Sequence, residues 1–326
     1  MQKPLVIARC EAGPELSAKL AAWERGGLSV AVVSEAADAA FDALLPDATA
    51  ILHVLKPIAA EVFARAPRLK LVQKVGVGVN TIDLEAARRH GVAVCNMPGT
   101  NTAAVAEMAL ALMLAALRRL PQFDRRARTA AGWALPPGAE ASLGEIGGRT
   151  VGLVGAGAVP RRLAPVLAAT GAEVIYWSRA ARAEMTAAHV GFDALLARAD
   201  ILSLHLPLTL KTRRIIGAAT LARMKPGAYL VNTARGGLVD EEALVAALQG
   251  GRLAGAALDV FEPEPPAAGH PLYAMPNVVL TPHISAGTRD AFMEKQGFIF
   301  DNLARFWRGE PVENLVDLSP APERGA

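Results

Sequence analysis

The sequence predicts an α/β protein built from two doubly wound parallel sheets, the first of them discontinuous in the chain. Three observations carry this reading. Two successive series of short apolar runs alternate with helical patterns, a strand–Gly155-Ala156-Gly157–helix unit opens the second series, and a short apolar run after the last long helix can return to the first. With 326 residues, 52% of them hydrophobic and 20% charged, the chain can fill two cores and is not a disordered one.

In the first series, strands are expected at residues 5–8, 30–33, 50–55, 71–75 and 92–95, with helices such as 15–24 and 61–66 between them. Residues 101–117 then predict a long helix, capped by Asn101 or Thr102 and apolar almost all round, which suits deep burial or a subunit interface. Residues 121–143, rich in Gly and Pro and carrying Trp133, show no period and read as an arm that embraces a second subunit. The second series begins at Thr150 and continues with strands at 174–177, 201–204, 229–232, 255–259 and 278–280. A helix over 288–307 and a short strand at 313–316 return the chain to the first domain, and residues 319–326 read as a frayed end. The expected division is 1–100 plus 290–326 for one domain and 101–289 for the other, with a dimerisation helix and arm at about 101–145.

Composition excludes several function classes. The net charge is +3, and no basic tract is interleaved with aromatics, against nucleic-acid binding. The longest apolar stretch, 103–117, contains Glu107 and runs into Arg118 and Arg119, so no membrane span is expected. The start leads directly into a strand pattern, unlike a signal peptide, and Cys10 and Cys95 lie far apart without metal-ligand spacing. Free thiols and no leader point to the cytoplasm.

Three residues follow successive buried strands of the second series: Arg235 in Asn-Thr-Ala-Arg-Gly, Glu264 in Phe-Glu-Pro-Glu-Pro and His283 in Thr-Pro-His. Open α/β sheets bind ligands at such strand ends. A guanidinium, a carboxylate and an imidazole suit the reversible reduction of a 2-oxo acid. The substrate carboxylate needs a forked cation, and the alkoxide left by hydride transfer needs a proton donor.

The strand–Gly155-Ala156-Gly157–helix unit is a Rossmann-like dinucleotide pattern, with Pro160 where a third glycine is usual. At the end of the next strand, where a carboxylate would hold the ribose of NAD, stand Ser178 and Arg179, with Arg182 nearby. A hydroxyl and a guanidinium suit a 2′-phosphate, which favours NADP(H) over the alternative, NAD(H). Arg161 and Arg162, placed where the helix dipole disfavours cations, fit a phosphate close by.

These motifs occur in order with Val-Gly-Val-Gly-Val-Asn-Thr-Ile-Asp, Asn-Met-Pro-Gly-Thr-Asn, Val-Ala-Glu and His-Leu-Pro-Leu-Thr, and from about residue 69 to 316 the chain resembles the D-isomer-specific 2-hydroxyacid dehydrogenases. That family includes glyoxylate/hydroxypyruvate reductases, phosphoglycerate dehydrogenases and D-lactate dehydrogenases. The resemblance implies one flavodoxin-like substrate domain at both chain ends, a dinucleotide domain between, and a homodimer. It implies that Arg235 binds the substrate carboxylate and carbonyl, that His283 transfers the proton, and that Glu264 holds the imidazole and favours its protonated form. Backbone N–H groups of Val77 and Gly78 would bind the other side of the carboxylate. Thr102, Gly155, Ala156, Gly157, Ala158, Val159, Ser178, Arg179, Leu206, Pro207, Thr212, Thr233, Ala234 and Asp259 would contact the cofactor. Ala158 and Pro160 depart from the usual Arg and Gly, and Asn80 replaces a common Asp.

His205 reads as structure of the cofactor loop, and His53 and Lys56 are candidates for the variable part of the substrate. The expected function is NADPH-preferring reduction of a small 2-oxo acid, glyoxylate or hydroxypyruvate. The alternatives are an NADH-linked dehydrogenase of a larger 2-hydroxy acid and a dinucleotide-binding corepressor-like protein, for which the short tail offers neither extension nor groove.

Overall fold

A computed structural model describes residues 3–25, 27–135 and 137–319. The tail expected to fray lies, from residue 320 on, outside the described residues. The chain divides into two compact units, Met1–Thr100 with Arg289–Ala326, and Asn101–Thr288.

Unit 1 opens with β1 (Leu5–Arg9), α1 (Pro14–Arg25), β2 (Ser29–Val33), α2 (Asp38–Leu44), β3 (Ala48–His53), α3 (Ala60–Arg65), β4 (Leu71–Lys74), α4 (Leu84–Arg89) and β5 (Ala93–Cys95). All pairings are parallel, in the order β2-β1-β3-β4-β5, so the sheet reverses direction between β1 and β3. The inner strands read as unbroken apolar runs because both faces are covered. Ile7, Ile51 and Val72 pack with Phe41 and Phe63 in one cluster, and Val6, Ala50 and Leu71 pack with Leu20 in another. α4 starts at Asp83, whose carboxylate accepts from the Ala86 N–H at 2.8 Å.

Unit 2 holds α5 (Thr102–Leu117), α6 (Leu120–Ala127), β6 (Thr150–Val154), α7 (Ala158–Ala169), β7 (Glu173–Trp177), β8 (Ala188–His189), α8 (Phe192–Arg198), β9 (Ile201–Leu204), α9 (Ala218–Arg223), β10 (Ala228–Asn232), α10 (Glu241–Gln249), β11 (Leu253–Leu258) and β12 (Val278–Leu280). The order is β12-β11-β10-β9-β6-β7-β8, again parallel, with the reversal between β6 and β9. The chain then returns to unit 1 as α11 (Arg289–Trp307), whose Ile299 and Leu303 enter the second of the two clusters in that unit.

Several expectations need correcting. Asn101 occupies the cap position of α5 without a side-chain cap bond, so burial of Ala109, Leu112, Met113 and Leu117 holds that helix. The arm is not wholly irregular, since it contains α6, which was hidden because it buries none of its residues. The run 313–316 does return to unit 1, but as a single bridge, Cys95 to Leu315, with Val316 N–H donating to the Val94 carbonyl at 2.8 Å. α7 starts two residues before Pro160, which is buried within the first turn, where a missing N–H costs no helical bond. Among the described residues no helix is long and apolar enough to cross a membrane.

His53 ends β3 fully buried, with Nε2 2.8 Å from Thr81 Oγ1. It therefore faces inward and contradicts the expectation of a substrate-facing side chain. Burial, then the charges of Lys74 and Arg9, push its pKa down to about 3, and burial holds His205 at about 4. Above an ordinary histidine pKa both rings are neutral whether folded or not. As the pH falls, the unfolded chain takes up protons that the folded chain refuses, so stability drops by roughly 1.4 kcal/mol per pH unit for each group until its folded pKa is reached. We expect the thermal midpoint to fall steadily between pH 6.5 and 4, and His53→Gln to flatten that slope in melts across the range.

Candidate active site

The three strands β10, β11 and β12 are neighbours in unit 2, and each releases one of the singled-out side chains just beyond its C-terminal end. The Arg235 turn is folded by Asn232, whose side chain donates to the Arg235 carbonyl at 2.9 Å and accepts from the Ala234 N–H at 3.0 Å. Burial lowers the pKa of the Arg235 guanidinium while the Glu264 charge opposes that change. The group stays a cation in every useful pH range.

Glu264 accepts the Phe261 N–H on Oε1 at 2.9 Å and meets His283 Nδ1 with Oε2 at 2.6 Å. A carboxylate facing Nδ1 makes that nitrogen the donor and turns Nε2 toward chemistry. Burial raises the Glu264 pKa, but the His283 bond, the Phe261 N–H and the charges of His283 and Arg235 outweigh it, and the net shift is downward. The Glu262–Pro263 and Glu264–Pro265 peptides are both cis.

His283 sits at φ +53, a conformation that costs a non-glycine residue of order 1 kcal/mol. The buried Asp259 carboxylate surrounds it: Oδ1 accepts from Thr281 Oγ1 at 2.6 Å and from the Ile284 N–H at 2.9 Å, and Oδ2 accepts from the Ser285 N–H at 2.8 Å. Asp259 is thus engaged in shaping the His283 loop, a connection 22 or more residues long that was not readable from the sequence.

The Gly-Gly after Arg235 has a packing reason. A Cβ on Gly236 would overlap the Phe261 backbone, and one on Gly237 would come within 2.8 Å of the Glu262 carboxylate. The loop bearing Glu264 therefore lies directly on the turn bearing Arg235. Gly236→Ala should displace that loop, cost about 1–3 kcal/mol and reduce turnover at least tenfold. Gly237→Ala meets side-chain ends, the Glu262 carboxylate and Leu208 Cδ2, instead of backbone and should be milder in the melt.

The dinucleotide candidates also lie in unit 2. Gly155, at φ +123, has no room for a Cβ, which would sit 2.6 Å from the His205 carbonyl oxygen. Gly157 precedes α7 as a cap without a side-chain bond, followed by Ala158 and Val159, so the first N–H groups of a twelve-residue helix have no side-chain partner from their cap. Ser178 donates to the Ala180 carbonyl and its own carbonyl meets His189 Nε2 at 3.0 Å, while Arg179 is exposed. Thr212 Oγ1 donates to the Pro207 carbonyl at 2.7 Å and folds the loop that begins with Leu206. His205 Nε2 lies 2.9 Å from Ser203 Oγ, in keeping with a structural role.

Two buried hydroxyls near the triad, Thr233 Oγ1 and Ser285 Oγ, have no hydrogen-bond partner among the described residues. Unsatisfied buried hydroxyls suit a polar ligand such as the nicotinamide carboxamide. Ser285 was missed in the sequence, where no period marks it. Thr102 begins α5, and Val77 and Gly78 follow β4 in unit 1, with Val77 39% exposed and its carbonyl accepting from Asn96 Nδ2 at 2.9 Å. Lys56, a substrate candidate, instead places Nζ on both Asp38 oxygens at 2.6 and 2.7 Å.

A seven-stranded doubly wound sheet with a glycine turn at its reversal, and an Arg, a Glu–His pair and orphan hydroxyls at its strand ends, defines an NAD(P)-dependent oxidoreductase. The family model described as "D-isomer specific 2-hydroxyacid dehydrogenase, NAD binding domain" matches residues 110–285, and the chain belongs to this family. It is 43% identical over 80% of its length to a glyoxylate reductase of Aeropyrum pernix, covering 80% of that protein. It is 40% identical over 79% of its length to a D-3-phosphoglycerate dehydrogenase of Archaeoglobus fulgidus, of which it spans only 49%. The solved NADPH-dependent glyoxylate/hydroxypyruvate reductase of Sinorhizobium meliloti, in complex with NADP and malonate, superposes with a TM-score of 0.86 at 29% identity, with all of both chains covered. The chain is accordingly an enzyme that acts with a dinucleotide on small 2-oxo or 2-hydroxy acids.

Proposed function

We propose that the chain reduces glyoxylate or hydroxypyruvate with a preference for NADPH. The observation that carries this reading is the 2.6 Å Glu264–His283 pair beside the half-buried Arg235 at three adjacent strand ends. Arg235 forks the substrate carboxylate and 2-oxo oxygen, its planar donors matching two acceptors at once. The bound dinucleotide supplies the hydride to C2. His283, protonated and held through Nδ1 by Glu264, gives its Nε2 proton to the oxygen as negative charge develops there. Glu264 stays ionised throughout and balances the imidazolium before the transfer. Gly155 to Val159 hold the pyrophosphate, with Thr102, Leu206, Pro207, Thr212 and Ala234 around the cofactor, and Thr233 and Ser285 at its amide.

Ser178 and Arg179 support NADP(H), and the NADP-bound S. meliloti reductase is similar along its whole length. In unit 1 the cations at the strand ends already have partners. Lys56 and Arg9 share Asp38, Lys74 Nζ donates to the Val54 carbonyl, and His53 is neutral. That supports a small uncharged substituent over a phosphorylated one. The exposed stripe Ala103, Glu107, Ala111 and Leu114 on α5, with Trp133 74% exposed in the arm, supports a homodimer, and the free thiols fit the cytoplasm.

The test follows absorbance at 340 nm with glyoxylate, hydroxypyruvate, pyruvate, phosphohydroxypyruvate and bulkier 2-oxo acids, each with NADPH and NADH. Faster oxidation of NADPH by the first two acids is expected, and Arg179→Asp should reverse the cofactor ratio. A preference for NADH would replace the cofactor reading with the NADH-linked one, and a preference for the phosphorylated acid would overturn the substrate reading.

A further inference from the structure

The segment Phe261-Glu262-Pro263-Glu264-Pro265 aims Glu264, yet two of its five residues have no N–H with which to be anchored. Its fixing must come from elsewhere. The Phe261 N–H is used on Glu264 itself, and the Glu262 N–H donates to Glu241 Oε1 at 2.8 Å. A further anchor is the Glu262 side chain, which receives both ends of the Arg213 guanidinium, Nη1 to Oε2 at 2.6 Å and Nη2 to Oε1 at 3.1 Å. Underneath, Gly237 leaves the space that the carboxylate occupies.

Arg213 belongs to the loop after β9. Its N–H donates to the Thr209 carbonyl at 2.9 Å, and Thr212 beside it folds the same loop onto Pro207. The following residues are stitched to the turn after Arg235, with Arg214 N–H on the Gly237 carbonyl at 2.8 Å and Ile216 N–H on the Leu238 carbonyl at 3.0 Å. An exposed ion pair ordinarily contributes little, and a bidentate arginine on a carboxylate is the recognised exception.

We propose that Arg213 and Glu262 are positioning residues: their bidentate pair clamps the loop that holds the dinucleotide to the loop that presents Glu264, and so keeps Glu264 in register with His283. The clamp rests on the triad reading above, and it makes cofactor loop and proton-donor pair move as one body. Breaking it should loosen the Glu264–His283 bond without removing any group that touches substrate.

The experiment compares wild type, Arg213→Gln, Glu262→Gln, the double variant and the exchanged pair R213E/E262R. Three quantities are read: kcat with glyoxylate and NADPH, NADPH affinity from fluorescence titration, and the downfield imidazole N–H proton resonance of His283, assigned by its loss in His283→Ala. Each single change is expected to lower kcat about tenfold with NADPH affinity within threefold, and to broaden or shift that resonance. The double change should be no worse than either single one, and the exchanged pair should recover most of the loss. An unmoved resonance with kcat within twofold of wild type overturns the clamp, as do losses that multiply in the double variant. The resonance reports on the clamp even if glyoxylate is not reduced, so failure of the substrate reading is distinguished from failure of this one.

Discussion

Replacing His283 with alanine is expected to lower kcat by roughly 10²–10⁴, the usual worth of a positioned general acid, with NADPH affinity little changed. The effect is placed in kcat because the imidazole acts when charge develops on the substrate oxygen, and less on the acid before hydride arrives. Removing the imidazole also leaves Glu264 a carboxylate without its 2.6 Å partner. Glu264→Gln should therefore be less severe: it keeps an oxygen to accept from Nδ1 but loses the charge that balances the imidazolium. Since the Glu264 pKa is lowered on folding, its charge persists through the ordinary carboxylate range and its support disappears only as the pH falls through the lowered value. The three-way comparison is made by steady-state kinetics, with circular dichroism to show that each variant is folded. A His283→Ala enzyme within tenfold of wild type in kcat would remove the imidazole from the mechanism.

Arg235 is expected to give the second large effect, in a different quantity. Arg235→Lys keeps a charge but not the planar fork, and should raise KM for the 2-oxo acid by about 10- to 100-fold. Arg235→Ala should lower kcat/KM by about 10³ or more, since two charge-assisted hydrogen bonds at roughly 1.5–3 kcal/mol each are lost and the acid is left unpaired. Carbonyl compounds without an adjacent carboxylate should lose less, because only the bond to the carbonyl oxygen is removed. Because Arg235 also donates to the Ala234 carbonyl at 2.5 Å, the melting temperature of each variant has to be read beside its kinetics.

The strands that carry the site were legible because parallel strands covered on both faces must be apolar throughout, as in Leu230-Val231 and Ala256-Ala257-Leu258. The positions of Arg235, Glu264 and His283 follow from those runs. Short or unburied elements were not legible, such as the two-residue β8 and α6. Partnerships across the chain were equally hidden. Nothing near Lys56 announces that Asp38 will take its charge, and nothing near Glu262 points to Arg213, 49 residues earlier. His53 was misread because a strand-end histidine looks the same in sequence whether the last pleat points outward or, as here, against Thr81. Ser285 and the clamping role of Asp259 emerge only from burial and hydrogen bonding in three dimensions.

The most direct measurement is chiral analysis of the acid formed from hydroxypyruvate by the purified protein with one equivalent of NADPH. D-glycerate is expected in amounts equal to the NADPH oxidised, with its loss in His283→Ala and Arg235→Ala. L-glycerate, or no oxidation of either dinucleotide by any 2-oxo acid, would contradict it.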